Sequence, residues 1–243
     1  MNSFFIALQF LTRLKVVNQI KWTEEEFGKS VTSFPIVGLV IGLFTYAFYY
    51  VLQPFFPIML LALLVVVFDF LFTGGLHADG FMDTCDGLFS GRDKERKLEI
   101  MKDSRVGSNG VVGFVFLILL KWQLLAHLPH QLLPMAIIAL PILSRFGLVM
   151  SIKLFPYARP EGMGKAFAVF APTNVVAYGA FMALIPMLLF GFKYLILYIL
   201  TIAINQLLNR YNTKHLGGVT GDTYGFVVEL TELFLLLSIF FIK

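Results

Sequence analysis

The sequence predicts an all-α fold: a polytopic membrane helix bundle of about seven transmembrane helices, preceded by an N-terminal interfacial amphipathic helix. Three observations predict it. Hydrophobic residues make up 58% of the 243 residues and charged ones 14%, with a mean hydropathy of +0.81. Apolar runs long enough to cross a bilayer recur along the chain. The polar residues gather into islands between those runs. Such a composition excludes a soluble globular domain, and a net charge of +4 gives no reason to expect nucleic acid as a partner. The N-terminus lacks a charged leader and a small-residue cleavage site, so no signal peptide is expected. The single cysteine, Cys85, excludes an intrachain disulfide.

Residues 2–22 mix Phe4, Phe5, Ile6, Leu8, Phe10, Leu11 and Leu14 with Gln9, Thr12, Arg13 and Lys15, the pattern of an interfacial helix. Arg13 is a headgroup anchor or a ligand contact, and the residues alone favour the anchor. The first span is expected at Phe34–Leu52, ended by Pro54 and Pro57. The second runs from Ile58 to Phe72 with Asp69 inside it, a functional suspect unless it merely faces water near the helix end. The third, Val111–Leu128, carries Lys121. The fourth, Leu132–Ile152, carries Arg145, which either snorkels or faces the bundle. The fifth is Val175–Phe190, the sixth Tyr194–Leu208, and the last Phe226–Ile242. Glu229 and Glu232 lie in its first turns, where acids also favour a helix N-terminus.

The stretch from Gly74 to Gly110 organises the chain. Asp79, Asp83 and Asp86 stand at i, i+4 and i+7. At about 100° per residue they fall within roughly 60° of one another on a helix. Like charges on one face repel, so a hard divalent cation with oxygen ligands is expected between them. Gly80 and Gly87, each following an Asp, are read as letting a large ligand approach the backbone. Asp103-Ser104-Arg105 follows, and carboxylates beside arginines suggest a metal-bridged phosphate clamp. A second island, Phe155–Pro172, has too many glycines and prolines for a continuous helix. A third is Asn209–Gly225.

With a cytoplasmic N-terminus and seven spans, the loops around 73–110, 153–173 and 209–225 share one face. Of the 19 Lys and Arg, Lys193 and Lys243 fall opposite and Lys121 and Arg145 within spans; all others fall on the shared face. The positive-inside rule makes that face cytoplasmic. One site, built by several cytoplasmic segments, is the economical expectation.

These motifs resemble the cobalamin synthase family, the adenosylcobinamide-GDP ribazoletransferases. The matching pieces are Phe10-Leu11-Thr12-Arg13-Leu14, Phe34-Pro35-Ile36-Val37-Gly38, and Gly74-Gly75-Leu76-His77 with Asp79-Gly80, Asp83 and Asp86-Gly87. They continue with Asp103-Ser104-Arg105-Val106-Gly107, Tyr157-Ala158-Arg159-Pro160-Glu161-Gly162, and Gly218-Val219-Thr220-Gly221-Asp222 followed by Glu229 and Glu232. Several motifs in one order are specific where each alone is weak. Ala78 departs from the pattern and is left out of the site.

The resemblance implies a single integral-membrane catalytic domain in the cytoplasmic membrane. It implies transfer of adenosylcobinamide-GDP onto α-ribazole or its 5'-phosphate with release of GMP. The implied cofactor is Mg2+, held by Asp79, Asp83, Asp86 and Asp103, with a carboxylate among them as base. The implied substrate contacts are His77, Arg105, Arg159, Lys165, Asp222 and Glu229. The bilayer is the other partner, and a homo-oligomer is left open. A CDP-alcohol phosphatidyltransferase shares Asp83-x-x-Asp86-Gly87, but its following Ala-Arg is absent. A cation transporter would place its acids near the midplane on broken helices, whereas these crowd one face.

Overall fold

The structure is a computed structural model that describes residues 3–18 and 23–242. Its elements are helices α1 (Ser3–Leu11), α2 (Glu24–Ser30), α3 (Phe34–Leu52), α4 (Ile58–Thr73), α5 (Leu76–Leu88), α6 (Lys94–Ile100), α7 (Ser108–His127), α8 (Leu133–Leu154), α9 (Met163–Phe170), α10 (Val175–Phe190), α11 (Leu195–Leu216) and α12 (Gly221–Ile239). Among the described residues there is no β-sheet, only an isolated bridge between Tyr157 and Val219.

Four stretches are long and apolar enough to cross a membrane unaided: Glu24–Leu52, Ser108–His127, His130–Leu154 and Phe192–Leu216. Two further crossings result if each bent pair, α4 with α5 and α9 with α10, counts as one span. The expected count of seven is not reached by length and composition. The last expected span begins earlier than anticipated, and α12 carries Asp222, Glu229 and Glu232 along its length. The sixth runs on to Leu216 and α12 begins at Gly221, so most of the third polar island is helical.

α8 is apolar over most of its surface, and such a helix belongs in the middle of a bundle; nearly its whole length is buried, Ser144, Arg145 and Ser151 included. α3 reaches it through Gly38 and Gly42, four residues apart. A Cβ at Gly38 would lie 2.4 Å from the Pro141 carbonyl oxygen, and one at Gly42 2.8 Å from the Ile138 Cα. Small residues at this spacing let membrane helices meet backbone to backbone. They pack over the stretch where Pro141 leaves the helix without a donor. α7 lies outside, turning Val111, Val112, Val115, Phe116, Leu119 and Leu120 outward, as lipid requires.

The N-terminal helix differs from the expectation. Ala7, Leu8 and Leu11 are buried in a cluster with Val31, Phe34 and Val37, and Ile6 is buried as well, so α1 spends its apolar face on the bundle rather than on lipid. The rest of the expected helix is either irregular or, at residues 19–22, outside the described residues. Arg13 makes backbone contacts that the sequence did not anticipate. Its backbone N–H donates to the Phe72 carbonyl at 2.8 Å and its guanidinium to the Gly74 carbonyl at 3.3 Å, which staples α1 to the end of α4.

At that point the chain turns. Gly74 and Gly75 both have positive φ, +70° and +68°, a conformation that ends helices and suits glycine. α5 leaves at 93° to α4. It therefore turns across the end of α4 and packs on the start of α12. The glycines expected to admit a ligand admit helices instead. A Cβ on Gly80 would sit 2.7 Å from the Asp222 carbonyl oxygen, one on Gly225 2.4 Å from that of His77, and one on Gly87 2.4 Å from Met101 Cγ.

Gly42→Leu should lower the thermal unfolding midpoint of the detergent-solubilised protein, because overpacking against backbone costs about 1–3 kcal/mol. Gly221→Ala, whose added carbon meets nothing within 4 Å, should stay within about 1 °C of the parent. Equal midpoints for the two variants would contradict the α3–α8 contact.

Candidate active site

α5 displays its three aspartates in different ways. Asp79 is exposed, Asp83 half-buried and Asp86 buried. Asp86 closes on the start of α7, its Oδ2 accepting from the Gly107 amide at 2.7 Å and its Oδ1 from the Gly110 amide at 2.8 Å. A carboxylate there satisfies orphan helix donors and meets the positive end of the dipole. The glycines are required: a Cβ at Gly107 would stand 2.4 Å from Asp86 Oδ1, and one at Gly110 2.5 Å from Oδ2.

Asp83 faces the start of α12. Burial, together with the charges of Asp222, Asp79 and Asp86, pushes its carboxyl up to about 7 against the opposing pull of Arg159. This is the electrostatic signature of a negative pocket that favours a positive ligand. Arg159 and Asp222 come from different islands. The Tyr157–Val219 bridge joins them, with the Ala158 amide donating to the Val219 carbonyl and the Val219 amide to the Pro156 carbonyl, both at 2.8 Å. Arg159 Nη2 then donates to Asp222 Oδ2 at 2.7 Å. Its Nε is buried with no partner among the described residues.

Asp103 stands apart from this group. It is exposed, receives Arg105 Nε at 3.0 Å and Nη2 at 2.8 Å, and is held down to about 2 by those hydrogen bonds. With Asp86, Arg92, Arg96 and Glu99 the pair lines a neighbouring cleft of mixed charge. Lys165, on α9, is exposed and donates to the Pro160 carbonyl. Among the described residues, no three His, Cys, Asp or Glu side chains already converge as a metal site. Asp79 and Asp83 keep oxygens free, whereas Asp86 and Asp103, expected beside them as ligands, are engaged by amides and by Arg105.

His77 and Glu229 belong to a second, deeper cluster. Lys121 Nζ donates to Glu229 Oε2 at 2.6 Å and to Glu232 Oε2 at 2.8 Å. Arg145 Nη1 donates to Glu232 Oε1 at 2.5 Å, and its Nη2 lies 3.4 Å from His77 Nδ1. Ser144 adds a hydroxyl to Glu232 at 2.9 Å. Arg145 is 1% exposed, so it faces the bundle. Asp69 faces the same charges across a cavity. Sequence reasoning weighed each of these residues against its own helix. The signal it passed over was joint: acids in α4 and α12, bases in α7 and α8.

The model of the cobalamin-5-phosphate synthase family matches residues 3–240. The chain belongs to that family. Relatives named adenosylcobinamide-GDP ribazoletransferase match over nearly their whole length. The protein of Clostridium acetobutylicum is 38% identical over 238 residues, covering 97% of this chain and 94% of its own. That of Acetivibrio thermocellus is 34% identical over 245 residues, covering 100% and 99%. That of Desulfitobacterium hafniense is 38% identical over 250 residues, covering 99% and 97%. No solved structure matches the chain.

Asp86→Ala should strand two helix-terminal amides and cost about 1–3 kcal/mol, lowering the unfolding midpoint. Asp79→Asn should leave the midpoint unchanged. A destabilised Asp79→Asn with an unaffected Asp86→Ala would reverse the two roles.

Proposed function

We propose that this membrane protein joins adenosylcobinamide-GDP to α-ribazole or its 5'-phosphate, releasing GMP. End-to-end similarity to proteins of that name carries the reading, and the negative pocket of α5 and α12 beside Arg159 supports it. A hydroxyl oxygen of the ribazole forms a bond to the phosphorus next to cobinamide, the bond to GMP breaks, and the hydroxyl proton is taken up. Such a transfer needs alignment and charge neutralisation more than a covalent catalyst.

Asp79 and Asp83 are the residues that would hold magnesium. Two carboxylates with free oxygens suit an ion that keeps several waters and shares its shell with substrate phosphates. When bound, it supplies neutralisation of the pyrophosphate charge. Asp86 fixes α5 against α7 and so aims the other two. Asp222 holds Arg159 by one nitrogen, leaving the rest of the guanidinium to donate to phosphate oxygens. Arg105 and Lys165 stand exposed on neighbouring segments and add positive charge for the nucleotide. A carboxylate of the Asp79–Asp83 pair accepts the hydroxyl proton. We place the pocket on the cytoplasmic side of the cytoplasmic membrane, which the one-sided basic residues support.

Asp83→Asn should reduce GMP release from adenosylcobinamide-GDP at least a hundredfold in the solubilised enzyme with magnesium, with the unfolding midpoint unchanged. Near-parental turnover would remove Asp83 from the chemistry.

In a Cys85→Ser background, cysteines at Lys102 and Glu161 should react with an impermeant thiol reagent only from the cytoplasmic side. One at Gln131 should react only from outside. Labelling of Lys102 and Glu161 from opposite faces would refute the single-face arrangement.

A further inference from the structure

Beneath the pocket, the helices border a partly open cavity of about 80 Å³ lined by Thr45 of α3, Asp69 of α4, Lys121 of α7, and Glu229 and Glu232 of α12. Its other walls are mostly apolar, among them Val65, Leu140 and Leu236. Phe70, Thr73, Gly75, Ala78 and Phe114 also line a second cleft that holds Asp79 and Arg13. The cavity thus adjoins the polar end of the bundle at the α4–α5 break.

The charges around this cavity do not balance. Asp69, Glu229 and Glu232 are acids; Lys121 and Arg145 are bases. His77 adds no charge: a guanidinium has no acceptor, so the nitrogen 3.4 Å from Arg145 Nη2 must be the lone-pair Nδ1 of a neutral ring. One negative charge is left over. Lys121 and Arg145 both point at α12, where they occupy Glu229 Oε2 and both oxygens of Glu232. The Asp69 carboxylate has no hydrogen bond or ion pair among the described residues; only its backbone carbonyl accepts, from Thr73 Oγ1 at 2.8 Å. An uncompensated carboxylate in a membrane interior is costly.

Thr45 supplies an independent observation. It is 4% exposed, it lines the same cavity, and its Oγ1 has no hydrogen-bond partner among the described residues. A buried hydroxyl is normally satisfied. An unpartnered oxygen, a free carboxylate and the spare oxygen of Glu229 therefore face one space whose surroundings, with Lys121 and Arg145 counted, are one positive charge short of neutral.

We propose that this cavity binds one alkali cation, sodium or potassium, held by Asp69 and Thr45. The excess is one charge, which a monovalent ion cancels and a divalent ion overshoots. The donors are hard oxygens. A proton on Asp69 would cancel the charge as well, yet it would need no cavity and would leave the Thr45 hydroxyl oxygen unused. The volume admits an ion with water to complete its shell. The ion ties α3 and α4 to the α7–α12 cluster just below the break that carries α5. It is thus a structural effector of the bundle, separate from the magnesium proposed above, and it does not depend on the transferase assignment.

The test is thermal unfolding of the full-length, detergent-solubilised protein at fixed ionic strength, exchanging choline chloride for sodium or potassium chloride. The parent should show a saturable rise of about 5 °C. Asp69→Asn should lose the rise. Thr45→Val should keep the parental midpoint in choline and need about tenfold more cation for half the effect. If Asp69→Asn does not fold, Thr45→Val decides alone, and an unchanged half-saturating concentration sinks the proposal. A midpoint indifferent to cation identity, a rise that persists in Asp69→Asn, or one reproduced by lowering pH in choline also overturns it.

Discussion

The approach of α5 to α12 is the contact on which the pocket depends. Gly80 lets the α5 backbone rest on that of Asp222, and Gly225 lets the α12 backbone rest on His77. Side chains at either place would push the helices apart. Only at this separation does Asp83 feel Asp222 and Arg159. The contact in turn requires α5 to leave α4 at 93°, which the consecutive positive-φ glycines allow and the Arg13 staple fixes. The chain thus spends its most permissive residues on aiming one short helix.

The deeper cluster follows a different logic. Ions inside a bilayer are expensive, and pairing repays the cost only when the remaining donors and acceptors are satisfied. Glu232 meets that condition, with Lys121, Arg145 and Ser144 on its two oxygens. Lys121 comes from α7 and both Arg145 and Ser144 from α8, so the cluster fixes how α7, α8 and α12 rotate relative to one another. Apolar packing alone specifies such rotation weakly, because lipid is as apolar as leucine. The polar seam of Asn205 and Asn209 on α11 against Ser151 and the Gly147 carbonyl on α8 does the same for the next interface.

The loops are tied by equally specific means. The short bridge at Tyr157 and Val219 needs Gly218, whose Cβ would lie 2.3 Å from the Pro156 carbonyl oxygen. Thr220 and Thr223 then cap α12 reciprocally. These local devices put Arg159 and Asp222 within 2.7 Å of each other although 63 residues separate them in the chain.

The sequence by itself determined the fold class, the positions of most apolar helices and the identity of the polar islands, since hydrophobic runs and helix-breaking residues act locally. It also determined the family, because motif order is a property of sequence. The helix carrying Asp79, Asp83 and Asp86 was legible from spacing alone. What only the tertiary structure decided is which oxygens those aspartates leave free. Asp86 is a cap because the start of α7 folds back onto it, and Asp103 turns to Arg105 instead of to α5. Arg13, Arg145 and Asp69 were each ambiguous for the same reason. A charged residue in an apolar helix has no meaning until the residue opposite it is known, and that neighbour is set by how distant helices pack.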